Sequence, residues 1–163
     1  MLTQEHLKSV INYNPDNGVF TWIKTKKFSD KKAGDRAGGF RKDGYHTIYI
    51  EYKKYLSHRL AWLYMKGEFP KNCIDHINGV TSDNRWVNIR AATLKENQAN
   101  RKTSSNNKTG VKGVSLIRGS IWRASVYADG KSFNVGCFSN LEDASRAVKK
   151  KREELHGEFH NHG

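Results

Sequence analysis

Residues 101–110 read Arg-Lys-Thr-Ser-Ser-Asn-Asn-Lys-Thr-Gly and hold no large apolar side chain. No hydrophobic core can run through such a stretch, so the 163-residue chain is expected to fold as two modules joined by a polar connection. The first module is placed at 1–101, the linker at 102–109 and the second module at 110–163.

Within the first module, Thr3 can cap a short helix whose apolar positions Leu7, Val10 and Ile11 keep helical spacing. Asn14-Pro15-Asp16-Asn17-Gly18 signals a turn, Val19–Trp22 a strand, and the basic, Gly-rich run 24–39 a loop. A strand is expected over 45–50, with Tyr55-Leu56 beginning its hairpin partner. Ser57 is read as the cap of a helix over 58–66, stopped by Gly67 and Pro70, with Leu60, Ala61, Tyr64 and Met65 as its core face. Cys73–His76 and Ile89–Ala92 read as a strand and its return around the turn-rich segment 77–83. Thr93 with Glu96 then forms a capping box that opens a helix, with Asn97 in its first turn or just beyond.

The second module reads as three strands, over 112–117, Ile121–Ala128 and Lys131–Phe138, followed by one helix to about His156 with Gly157 after it. Ser139 and Glu142 read as a second capping box. On the middle strand Trp122, Ala124 and Val126 share one face, and Arg123, Ser125 and Tyr127 the other. Leu141, Ala144, Ala147, Val148 and Leu155 are expected to cover the apolar side, leaving the polar side open to a ligand. The fold class is therefore α+β.

The net charge is +13 and the pI about 9.8. The excess is spread along the chain, with 17 Lys/Arg against 10 Asp/Glu in residues 1–100 and 12 against 6 in 101–163. Both halves would attract a polyanion, and nucleic acid is the partner such a surface suits best. Two cysteines without a Cys-x-x-Cys pattern argue against a disulfide framework or a Cys-rich zinc site, and both are read as buried small hydrophobes in a reducing cytoplasm. No apolar run is long enough for a membrane span, no signal peptide is recognisable, and nothing resembles a Gly-rich nucleotide loop. His156, His160 and His162 are read as incidental, the last two lying in a tail.

The chemistry-bearing segment is Ile74-Asp75-His76-Ile77-Asn78-Gly79, followed by Asp83-Asn84-Arg85, Asn88-Ile89-Arg90 and Glu96-Asn97. Read together, these residues resemble the Asp-His … Asn … Asn version of the HNH nuclease motif. Asp75 offers a charged oxygen and Asn97 an amide oxygen, ligands that suit a hard cation such as Mg2+, with Mn2+ as the alternative. Neighbours on a strand point to opposite sides, so His76 would stand apart from the metal as a general base, with an ordinary pKa near 6.5 suited to that work. Each residue alone also has a structural reading: Asp75 capping a turn, His76 satisfied in a core, Asn97 on a helix surface. The joint pattern outweighs those. Asn88 is read as pinning the loop across the hairpin, and Arg85, Arg90 and Arg101 either as phosphate contacts or as a solvated basic face. His58 is a candidate neighbour of the base, with a purely structural role as the alternative.

Residues 1 to about 100 resemble phage-type HNH homing endonucleases, through 13–22, His58-Arg59-Leu60-Ala61-Trp62, 74–79 and 83–97. From about 109 onward the chain resembles the plant Apetala/ethylene-response-factor DNA-binding domain, through Gly113-Val114, Trp122-Arg123-Ala124, Gly136-Cys137-Phe138, Glu142-Asp143-Ala144 and His156-Gly157. The resemblance implies a ββα-metal nuclease module with Asp75 and Asn97 as metal ligands and His76 as base. It also implies a three-stranded sheet laid in the major groove of double-stranded DNA. The DNA face would then comprise Lys112, Ser115, Ser125, Tyr127, Ser132 and Asn134, with Arg118, Arg123 and Lys131 nearby as phosphate contacts. Plant domains use mainly Arg and Trp at these positions, so the plant target site is not carried over. The expectation is a homing-type, metal-dependent DNA endonuclease, nicking or cutting both strands, in a bacterial or phage-infected cytoplasm. Its rivals are a non-catalytic DNA-binding regulator on an HNH scaffold, an RNA-directed protein, and a restriction or packaging nuclease.

Overall fold

The computed structural model describes residues 1–25 and 30–163, so the loop expected over 24–39 lies partly outside the described residues. The architecture is mixed α and β, divided into two compact units, Met1–Ala92 and Thr93–Gly163.

The first unit begins with α1 (Gln4–Val10), capped by Thr3, whose hydroxyl accepts from the His6 amide. Ile11 does not extend this helix. It opens β1 (Ile11–Asn14), which pairs antiparallel with β2 (Val19–Trp22). Pairing with a strand wins over local spacing here, because it buries Ile11 and Tyr13 on the inner face. β3 (Gly39–Phe40), β4 (His46–Ile50) and β5 (Lys53–Leu56) form a second antiparallel sheet with β4 in the middle. α2 (Ser57–Lys66) packs on β4, β5 and α1, and Gly67 ends it at φ +86.

Two expectations for α2 are corrected. Ser57 is not its cap: the N-cap is Leu56, without a side-chain bond, because the Ser57 hydroxyl is buried against His46 Nδ1 at 2.7 Å. Leu63, not Met65, completes the buried face with Leu60 and Ala61, and Met65 is exposed. β6 (Cys73–His76) and β7 (Ile89–Ala92) form a two-stranded antiparallel hairpin, in the register Asp75 opposite Arg90 and His76 opposite Ile89. Ile74 and Ile89 turn their apolar side chains into the unit's core beside Leu7, Phe20 and Leu60.

The second unit opens with α3 (Leu94–Ala99), whose capping box is present in full: Thr93 Oγ1 accepts from the Glu96 amide and Glu96 Oε2 from the Thr93 amide. The nuclease module expected from the sequence, 1–101, thus includes a helix that is compact with the second unit. β8 (Val114–Arg118), β9 (Ile121–Ala128) and β10 (Lys131–Phe138) make an antiparallel sheet with β9 central. α4 (Leu141–His156) covers one face, burying Ala144 and Val148 against Val114, Ala124 and Val126. Its cap is Asn140, not Ser139: Asn140 Oδ1 accepts from the Asp143 amide at 2.8 Å, one residue beyond the expected cap. Cys137 is exposed, because the register places it opposite Arg123 on the uncovered face. Among the described residues, no helix is long and apolar enough to cross a membrane.

Candidate functional site

The β6–β7 hairpin fixes two chemically different sides. On one, Arg90 Nε and Nη2 each donate to Asp75 Oδ2 at 2.8 Å, and both side chains are largely buried. This pair follows from the register, since directly opposed residues share a face. Arg90, read from the sequence as a phosphate contact, is thus engaged with the carboxylate.

On the other side lies His76, 5% exposed. Its Nε2 meets Asn84 Oδ1 at 3.5 Å, and its ring meets His58 edge to face, with centroids 4.9 Å apart at 87°. Tyr45 lies 5.5 Å from the His58 ring and 6.0 Å from that of His76. Burial lowers the His76 pKa below the usual 6.5 despite the opposing influence of the Asn84 hydrogen bond and of Asp75 and Asp83. Near neutrality the ring is therefore uncharged and able to take a proton. His58 is pushed down to about 3, first by burial, then by His76 and Arg59. Its Nδ1 is buried without a hydrogen-bond partner, a condition that costs about 1–3 kcal/mol.

The loop between the strands is stitched by amides and carboxylates. Asn88 Oδ1 accepts from the Asn78 amide at 2.9 Å, and Asn88 Nδ2 donates to Asp83 O at 2.8 Å, so one buried side chain spans the loop. Asn78 Nδ2 donates to Asp83 Oδ2 at 2.7 Å. Arg85 grips the same carboxylate through Nε at 2.8 Å and Nη2 at 2.6 Å, and this pairing brings the Asp83 pKa down to about 2.

The sequence placed Asn84 in the motif and Asn14–Gly18 in a turn, but assigned neither a part at His76. Asn84, whose amide meets His76, is itself held by the Tyr13 hydroxyl, which donates to Asn84 O at 2.7 Å across 71 positions of sequence. Gly18 lies flat on the same peptide at φ +71: a Cβ there would come within 2.6 Å of both Asn84 C and Arg85 N. Trp86 N donates to Pro15 O at 2.9 Å. The Asn14–Gly18 turn thus buttresses the loop that holds His76. The turn was legible in the sequence, but its docking surface carried no local signal.

In the second unit, Asn97 lies on α3. Arg101, Arg118, Arg123, Lys131 and Asn134 are exposed, as is Tyr127 at 67%. Arg123 and Tyr127 stand on the uncovered face of β9, where the register sets Tyr127 opposite Ser132 and Ser125 opposite Asn134. Lys112 differs: its half-buried ammonium donates to the backbone carbonyls of Ala99, Arg101 and Asn161. His160 and His162 are not incidental, since both come together with Glu153. Arg152 Nη1 donates to His162 Nδ1 at 3.2 Å, leaving Nε2 to donate to Glu153 at 3.0 Å. That proton assignment makes the cluster a clasp for residues 160–163.

Residues 55–99, which span His58, Asp75, His76, Asn88 and Asn97, match a family model described as HNH endonuclease. Protein 3.8 of Escherichia phage T7 is 37% identical over 110 residues, covering 66% of this chain and 90% of that protein. An uncharacterized HNH endonuclease of Acanthamoeba polyphaga mimivirus is 33% identical over 119 residues, covering 72% of this chain and 62% of its own length. A solved structure described as DNA binding and cleavage by the HNH homing endonuclease I-HmuI aligns with TM-score 0.42 and 25% identity over 56% of this chain. The alignment spans 51% of that protein, about half its length. The chain therefore carries an HNH endonuclease domain. It belongs to the family of Protein 3.8 of Escherichia phage T7.

Proposed function

We propose that the chain is a metal-dependent DNA endonuclease, of homing type, that hydrolyses phosphodiester bonds with His76 as general base. The observation that carries this reading is the state of His76: a buried, uncharged imidazole held between Asn84 and His58 on the strand that carries Asp75. The Asn84 amide oxygen, 3.5 Å from Nε2, holds the ring in place for proton transfer from the attacking water.

HNH nucleases generally use a divalent metal, and the donor set fits one: the Asp75 carboxylate and the Asn97 amide are hard oxygen ligands of the kind Mg2+ or Mn2+ takes. Arg90 supports the fit by holding the Asp75 carboxylate in a fixed orientation. When bound, the ion would supply charge stabilisation to the leaving oxygen. Asn88 and the Asp83–Arg85 pair hold the loop so that His76 keeps its place. We assign duplex binding to the open face of the β8–β9–β10 sheet, with Arg118, Arg123, Tyr127 and Asn134 as contacts. Its basic and polar side chains support that assignment, as does the resemblance to a plant DNA-binding domain.

A second reading, a non-catalytic DNA-binding regulator, draws on one observation: Asp75 already has a cationic partner in Arg90. Incubating the purified protein with supercoiled DNA in Mg2+ and in EDTA separates the two. Nicked or linear product in Mg2+ alone supports the nuclease and shows how many strands it cuts. Tight binding with intact DNA, across Mg2+ and Mn2+, supports the regulator.

A further inference from the structure

Arg152 is a cation buried in the second unit without an acid beside it. The residue is 2% exposed, its Nη1 donates to His162 Nδ1 and its Nη2 to the Lys112 carbonyl. Those bonds engage two of the guanidinium N–H groups and leave others for a ligand. Among the described residues no carboxylate forms an ion pair with it, and burial alone lowers its pKa. A buried charge is costly unless an opposite charge accompanies it.

Lys112 shares that condition. Its half-buried ammonium donates to the carbonyls of Ala99, Arg101 and Asn161 and, among the described residues, pairs with no carboxylate. Burial, then Arg152 and Arg101, bring its pKa down to about 8. The two cations therefore add to one another's cost.

Both line a cavity of about 310 Å3, together with Gln98, Tyr127, Ser132 and His156, and none of the residues lining it is Asp or Glu. The cavity lies within the second unit, where β8 falls short of β9. β8 begins at Val114 opposite Ala124, so the edge of β9 over 125–128 lies past its end. The Ser125 amide still finds a partner there, donating to Gly113 O at 2.9 Å. Directions alternate along a strand, so the Tyr127 amide, two residues on, turns to that same edge. Gln98, Tyr127 and Ser132 are exposed and form the mouth, whereas Arg152 is buried behind them.

We propose that this cavity binds a phosphate group, with Arg152 and the Tyr127 amide donating to its oxygens and Lys112 supplying a second positive charge. Donors that converge from several sides suit an oxyanion with several oxygens, and a guanidinium matches phosphate geometry. The phosphate belongs either to a nucleic-acid backbone on the adjoining sheet face, which Tyr127 also borders, or to a free anion. No residue of the first unit takes part, so the inference stands apart from the nuclease reading.

The test uses the full chain in phosphate-free buffer with EDTA, so that cleavage does not enter. Calorimetric titration with inorganic phosphate at constant ionic strength should show one site per chain in the wild type. Gln98→Glu sets a carboxylate at the exposed mouth, and Lys112→Met removes a cation. Each should raise the Kd about tenfold. Lys150→Gln, the same change of net charge on the exposed side of α4, should leave it unchanged. Every variant is first checked for a cooperative thermal melt. Should Lys112→Met fail to fold, Gln98→Glu decides the matter by itself.

Duplex binding then separates the sources. If a backbone phosphate fills the cavity, inorganic phosphate competes with duplex at constant ionic strength, and Gln98→Glu weakens duplex binding more than Lys150→Gln does. If a free anion fills it, neither effect is seen while phosphate uptake remains. No phosphate uptake by the wild type, or wild-type uptake in folded Gln98→Glu, would overturn the inference. A wild type that takes up phosphate yet cuts no DNA would remove the nuclease reading and leave this one standing.

Discussion

Arg90 places two nitrogens 2.8 Å from Asp75 Oδ2 across the β6–β7 hairpin, pairing the proposed metal ligand with a largely buried guanidinium. Removing one member of such a pair leaves a buried charge uncompensated. Arg90→Met should therefore destabilise the first unit by about 3 kcal/mol in EDTA. If Asp75 takes a metal ion, Mg2+ should return part of that loss, so the melting temperature should respond more to Mg2+ in the variant than in the wild type. Thermal melts with and without Mg2+ read both effects.

His58 links burial to acid sensitivity. Its imidazole takes a proton near 6.5 when unfolded and only near about 3 when folded. Between these values the unfolded chain binds more protons, so stability is full above about pH 6.5 and falls as the pH drops toward 3. The loss over the whole window is on the order of 5 kcal/mol. Urea denaturation at several pH values should show this slope in the wild type and a shallower one in His58→Phe. Equal slopes would mean that other groups govern the acid limb.

Gly18 tolerates no side chain, since its φ is +71 and the Asn84–Arg85 peptide lies against it. Gly18→Ala should cost about 1–3 kcal/mol and loosen the loop that holds Asn84 against His76. The expected signature is cleavage reduced beyond what the lost stability explains, at unchanged DNA affinity. Cleavage rates measured well below the melting temperature, beside binding isotherms, distinguish the two effects.

Arg123 stands on the open face of β9 without α4 above it. If that face meets the phosphate backbone, Arg123→Ala should weaken duplex binding similarly across sequences and reduce the slope of log affinity against log salt by about 1. An unchanged slope would move the DNA surface elsewhere.

The hairpin and the helix after it were legible because their signals are local. Cys73–His76 and Ile89–Ala92 have strand composition, and the Thr93/Glu96 box announces α3 within four positions. The alternation of β9 was equally plain: Ala124 and Val126 are buried and Arg123 and Tyr127 exposed. What escaped depends on residues far apart in sequence. Ile11 continues helical spacing, yet pairs with Trp22 in a strand. Ser57 has the look of a cap, yet gives its hydroxyl to His46. Arg90 has the look of a phosphate ligand, and only the strand register reveals its partnership with Asp75. Lys112 likewise reads as surface charge until Ala99 and Asn161 are folded onto it. Spacing reveals periodicity, whereas these partnerships are set by topology.

The central claim, that His76 is the base of a metal-dependent nuclease, is tested most directly by single-turnover cleavage of a DNA substrate in Mg2+ by wild type and His76→Ala, with DNA affinity measured in EDTA. The account predicts metal-dependent cleavage by the wild type and a rate at least about 100-fold lower in His76→Ala, at equal DNA affinity. Cleavage by His76→Ala at the wild-type rate would contradict it, as would a wild type that binds DNA tightly and leaves it intact with Mg2+ and Mn2+ alike.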